Sequence, residues 1–241
     1  MPVPELDLRL DGFNAVTERV GQAFLHEVEL NETELDPLAE HHTPDLAHSY
    51  YVLHDRSATW GFPGEPQIVA LHLRRDVQAK TFHFERETLP LPAMAQSWLI
   101  HRGCPPDEIG INPEVGGTVP ADETTRALER RLMSDGDHFA LGYSYTSDDW
   151  DDMVTVAALR ALDDRTFSPF RVLVQEADTE AWTHTLREGG FATVGEALRW
   201  CQDRLHGTAG PLPVVRPMSR THYVTGASLP VPAQRPPGRN R

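Results

Sequence analysis

The sequence predicts an α+β protein: two small antiparallel-sheet-plus-helix modules packed together, followed by a disordered C-terminal tail. Three observations predict it. Strand-like alternation comes in consecutive runs, with helical spacing before and after each run. A Pro/Gly stretch from Pro105 to Pro120 separates the two runs. From Gly207 onward the composition turns to Pro, Gly and Arg, which cannot bury enough apolar surface to offset the entropy of ordering.

The elements follow in order. Phe13, Val16, Val20, Phe24 and Val28 fall at helical spacing, so a helix is expected over about 13–29, with Asp11 as its N-cap. Residues 31–49 are polar and contain Pro37 and Pro44; they are expected to form a loop. Tyr50 to His54 alternates as a strand, and the Gly/Pro-rich stretch 58–66 reads as a loop. Two strands follow at 67–75 and 79–87, joined through Asp76-Val77-Gln78. Val69, Leu71 and Leu73 share one face of that hairpin, with His72 and Arg74 on the other, polar face. A helix over 93–102 ends at Gly103, which tolerates the left-handed conformation of a C-terminal cap.

Beyond the linker, Asp122 caps a helix over 123–133. Strands are expected at 138–146, 153–160, 169–177 and 181–187. Thr193 and Glu196 form a capping box, and Val194, Ala197, Leu198, Cys201 and Leu205 trace one apolar helical face. The domains are therefore expected at 1–120 and 121–206, with a tail over 207–241. The two modules share the order of strands then helix, and no matching residues mark one as a copy of the other. Within the tail, Thr221 to Thr225 is β-prone enough to join an open sheet edge.

The formal charge is −14. The tail carries Arg216, Arg220, Arg235, Arg239 and Arg241 with no acidic residue, so the acid is concentrated in the body. Such a body repels nucleic-acid phosphates; only the tail is left as a nucleic-acid contact. Lys80 is the sole lysine among 22 basic residues, a bias that points to a GC-rich bacterial genome. No run of apolar residues has membrane-spanning length, and the start lacks the pattern of a secretory signal. With two cysteines and no disulfide framework, a cytoplasmic protein is expected.

No P-loop, G-x-G-x-x-G, G-x-S-x-G or H-E-x-x-H occurs, and no cofactor is expected. His41, His42, Asp45 and His48 form the most suggestive segment for metal-ligand chemistry, although adjacent histidines diverge on a strand or helix. Trp60 in the Gly/Pro loop and Trp150 in the acidic turn 148–152 are the candidate binding residues. Trp98, Trp182 and Trp200 are expected in the core. Cys104 has His101 and Arg102 nearby, the surroundings of a nucleophile, while Cys201 lies on the buried face of the last helix. The expectation is a non-enzymatic binding or regulatory protein acting through protein–protein contacts. The alternative is a metal- or His/carboxylate-dependent hydrolase with its site in the first module.

Overall fold

The computed structural model describes residues 6–215, apart from 62, 113, 116, 136–137, 148 and 163–167. It has two five-stranded sheets, each with helices. The first unit begins with a two-residue strand β1 (Asn14–Ala15) and helix α1 (Glu18–Glu27). A 3-10 turn (Glu29–Glu34) leads to β2 (Leu35–His42) and β3 (His48–Asp55). A single helical turn, α2 (Ala58–Gly61), precedes β4 (Ile68–Asp76), β5 (Thr81–Leu89) and helix α3 (Pro92–Ile100). The second unit repeats the plan. It runs β6 (Val119–Pro120), α4 (Glu123–Asp135), β7 (Phe139–Ser147), β8 (Val154–Ala161), β9 (Phe170–Asp178), β10 (Thr183–Phe191) and α5 (Val194–Leu205).

Strand order is β1-β5-β4-β3-β2 in one sheet and β6-β10-β9-β8-β7 in the other. Each is a four-stranded antiparallel meander with a short parallel strand on its last member. The correspondence extends to single residues. The Asp76 carboxylate accepts from the amides of Gln78 and Ala79, and Asp178 accepts from those of Glu180 and Ala181. Lys80 and Trp182 then both adopt φ +55°, and Thr81 and Thr183 open the next strand. The shared pattern is Asp-x-x-Ala-x-Thr, so the chain is an internal structural duplication that does carry matching residues. Both edge strands are bulged at corresponding places, between Pro37 and Ala39 and between Leu141 and Tyr143.

Several expectations change. The loop expected over 31–49 contains strand β2, so the first unit has four meander strands rather than three. Pro37 masks the strand in the sequence; it is tolerated because β2 is an edge strand and Pro37 adjoins the bulge. The N-cap of α1 is Thr17, whose hydroxyl accepts from the Val20 amide, and not Asp11. The face of β4 carrying His72 is not a polar outer surface: His72 is buried. Helix α1 covers one face of this sheet, packing Phe24 and Val28 on Tyr51, Leu53 and Leu71. Helix α3 covers the other, packing Ala95 and Leu99 with Val52 and Ala70.

The units meet through α3. Its start, Leu91 and Ala93, joins Leu128 and Leu132 of α4 and Leu159, Leu173 and Leu186 of the second sheet in one apolar cluster. Helix α5 covers that sheet's opposite face, burying Ala197 and Cys201 against Val156, Val172 and Val174. At the edge, the Thr146 amide donates to Gly64 O at 3.1 Å, tying the β3–β4 loop to β7. The tail does not leave the body at Gly207. Leu212 packs into the α5 cluster, and the Gly190 amide donates to Pro213 O at 3.0 Å. Glycines permit this approach: a Cβ on Gly189 would stand 2.6 Å from the Leu212 side chain, and one on Gly190 2.9 Å from Val215 Cα. Residues 211–215 thus cover the end of β10 that β6 leaves open, a role the sequence pattern assigns to Thr221–Thr225. That segment lies outside the described residues.

Candidate functional site: a cleft between the two units

The first sheet turns its α3-bearing face toward the second unit, and the second sheet turns its α4-bearing face toward the first. Where α3 and α4 do not fill the space between them, a cavity of about 380 Å³ remains. That volume lies in the range of small-ligand sites. Leu38, Ile68, Ile111, Met153 and Trp182 supply apolar walls. Asp36, His54 and Gln67 enter from the first unit, and Thr118, Glu129, Thr155, Gln175 and His184 from the second.

Each polar group has a structural reason to be there. Asp36 and His54 face each other across β2 and β3. Burial pushes the His54 imidazole below its ordinary pKa, with the Asp36 carboxylate and Gln67 opposing. Asp36 is also held by Arg56 Nε at 3.2 Å. In the second unit, His184 stands on β10 with only 6% of its surface exposed. Its Nδ1 lies 2.9 Å from the Thr118 hydroxyl and 3.1 Å from the Thr118 carbonyl oxygen. Its Nε2 lies 2.8 Å from Glu129 Oε1. The carboxylate can only accept, so Nε2 donates to Glu129, whichever form Nδ1 takes. Both ring nitrogens of His184 are engaged. Glu129 reaches the pair from α4, whose N-terminus is fixed by Asp122 accepting from the Thr125 amide at 2.7 Å.

The residues singled out in the sequence are distributed differently. His41 and His48 lie on the α3 side of the first sheet, where both rings stack near Tyr50. His48 Nδ1 is 3.0 Å from His72 Nε2. His42 points to the opposite face, 2.7 Å from the Ser49 hydroxyl and edge-on to Tyr51, because successive strand residues alternate. Asp45 folds into the hairpin turn, accepting from the Thr43 hydroxyl and the Ala47 amide. Among the described residues, no group of three or more His, Cys, Asp or Glu is gathered as metal ligands would be. Burial pushes His42 and His72 down to about 4, so both are neutral at pH 7.

Trp60 is 72% exposed on α2 and is not among the residues lining the cavity. Trp150 is 62% exposed and leans on Trp182, with ring centroids 6.0 Å apart. Trp182 is not a core residue: it is 47% exposed and lines the cavity. Trp98 and Trp200 are half-buried, with Arg102 stacked over Trp98 at 3.4 Å. Cys104 and Cys201 are both buried, and burial pushes each thiol up to about 12. Cys104 therefore holds no thiolate at neutral pH. Sequence reasoning misses Glu129, His184 and Thr118. They lie far apart in the chain, and only the β6–β10 pairing brings Thr118 beside His184.

No described helix is long and apolar enough to cross a membrane. Comparison with protein-family models, with characterised proteins and with solved structures finds no match to this chain.

Proposed function

We propose that this chain is a non-enzymatic binding protein that takes its ligand in the cleft between its two sheet–helix units. One observation carries the reading: half-buried polar groups of the first unit and the buried His184 and Thr155 of the second converge on this apolar-walled cavity. Catalysis is less well supported. The hydrolase alternative, centred on the first unit, places its histidines on two faces of one sheet.

Trp150 beside Trp182 gives the cleft an exposed aromatic neighbour of the kind that anchors protein interfaces, so the natural partner is read as a protein. The free, buried thiols suit a reducing compartment, which supports a cytoplasmic location. The five tail arginines stand as a separate contact for an acidic partner.

The test is a fragment screen followed by ¹H–¹⁵N spectra of the full chain. The reading expects bound fragments to shift amides around the cavity, at residues 36, 38, 118, 129, 153–155 and 182–184. Shifts confined to the surface around Trp60, or to the tail, would overturn it.

A further inference from the structure

The duplication provides a comparison within one chain. Val119 and Ala121 donate to Trp182 O and His184 O as Asn14 and Val16 donate to Lys80 O and Phe82 O. Asp122 caps α4 at the third following amide as Thr17 caps α1. These contacts match Thr118, Glu129 and His184 of the second unit with Phe13, Phe24 and Phe82 of the first. In the first unit Phe24 packs edge-on against Phe82 at 4.9 Å, and Phe13 packs against the same cluster. The place is closed by apolar rings. In the second unit it carries a hydroxyl, a carboxylate and an imidazole, and it opens onto the cleft.

The fold therefore does not need polar groups at these positions. Burying His184 and half-burying Glu129 and Thr118 costs free energy that the aromatic version avoids. The polar version occurs in the copy where these positions face the other unit, which ties it to what the cleft holds.

We infer that the cleft binds an alkylammonium group, with Glu129 as its counter-ion and the apolar walls around its hydrocarbon body; this rests on the cleft reading above. Glu129 uses one oxygen to accept from His184. Among the described residues it has no other hydrogen-bonding partner, so its second oxygen is left to accept from a ligand. Thr118 holds the far side of the imidazole, which fixes the direction of the Glu129–His184 pair. Asp36 adds a second carboxylate, shared with Arg56. No arginine or lysine side chain lines the cavity among the described residues. Trp182 is the aromatic residue among the cavity's lining, a residue type whose ring attracts ammonium groups. A carboxylate ligand would meet like charge at Glu129 and Asp36. The ammonium belongs either to a small amine or to a lysyl side chain on a partner protein.

The test titrates the full chain with hexylammonium, hexan-1-ol, hexanoate and Nα-acetyl-lysine N-methylamide, followed by ¹H–¹⁵N spectra. Hexylammonium is expected to shift the cleft amides and to bind at least tenfold more tightly than hexan-1-ol, with hexanoate weaker still. Glu129→Gln is expected to remove that preference. A second readout needs no variant: added salt should weaken hexylammonium and leave hexan-1-ol unchanged. Tighter binding of the lysine amide than of hexylammonium supports a protein side chain as source; the reverse supports a small amine. Equal binding of the alcohol or of hexanoate in the cleft, or a salt-independent preference, overturns the ammonium inference and leaves the cleft reading standing. Failure of every probe to reach the cleft amides overturns both.

Discussion

Glu129 and His184 are two polar groups in a place that a sister unit fills with Phe24 and Phe82, and that contrast makes them testable one side chain at a time. Removing only one partner strands the other: His184→Leu leaves Glu129 without its donor and should cost about 1–3 kcal/mol of stability by urea denaturation. An unchanged midpoint would mean the pair carries no energy. The thiols make a second prediction. Because burial holds Cys104 and Cys201 up to about 12, native protein at pH 8 should resist iodoacetamide, and both should react in denaturant. Rapid native labelling of Cys104 would restore it as a nucleophile. The histidines make a third. His42 and His72 titrate at about 4 in the fold, chiefly through burial, against 6.5 ordinarily. Above pH 6.5 neither state binds these protons, and they contribute no pH dependence. Below it the unfolded chain takes up protons that the fold refuses, so stability falls as pH drops from about 6.5 to 4. His72→Gln should flatten that slope in urea midpoints, and an identical slope would contradict the buried neutral ring. Site chemistry is poorly legible in the sequence at this scale. The His41–His48 segment stands out as a cluster of ligand-type residues, yet a strand's period of two sends His42 away from its neighbours. Glu129 and His184 are unremarkable in sequence because their meaning is a contact between distant elements.

At the scale of elements, local signals are legible where local chemistry decides the structure. Thr193 and Glu196 form the capping box as expected: Thr193 Oγ1 accepts from the Glu196 amide at 3.2 Å, and the Glu196 carboxylate accepts from the Thr193 amide at 3.1 Å. Thr193→Ala should lower stability by about 1 kcal/mol, read from the urea midpoint. No change would mean that α5 is held by packing alone. Strand β2 is hidden because Pro37 and the charged Asp36 and Glu40 look like loop residues, and their acceptance depends on an edge position that a single sequence does not display. Strands β1 and β6 are two residues long, too short for any periodicity. The Asp-x-x-Ala-x-Thr turn is present in both halves, but three shared residues in a six-residue window prove nothing until the strands around them are seen to correspond.

For the molecule as a whole, the two-module plan and the linker between modules are visible as shifts of composition, while the relation between the modules is not. It is built by α3, which serves its own sheet on one side and the neighbouring unit's cluster on the other. Gly64 adds a further tie, with φ +93° and the Tyr145 ring standing where a Cβ would go. The central claim is that unit two departs from unit one at the cleft in order to hold a ligand. The double variant Glu129→Phe, His184→Phe tests it most directly, because it gives the second unit the aromatic pair of the first. Its urea midpoint and its hexylammonium titration should be measured together. The expected result is stability equal to or above the parent, since replacing a buried polar pair with packed apolar groups is often neutral or better, together with loss of cleft binding. A folded double variant that still binds hexylammonium as the parent does would contradict the claim.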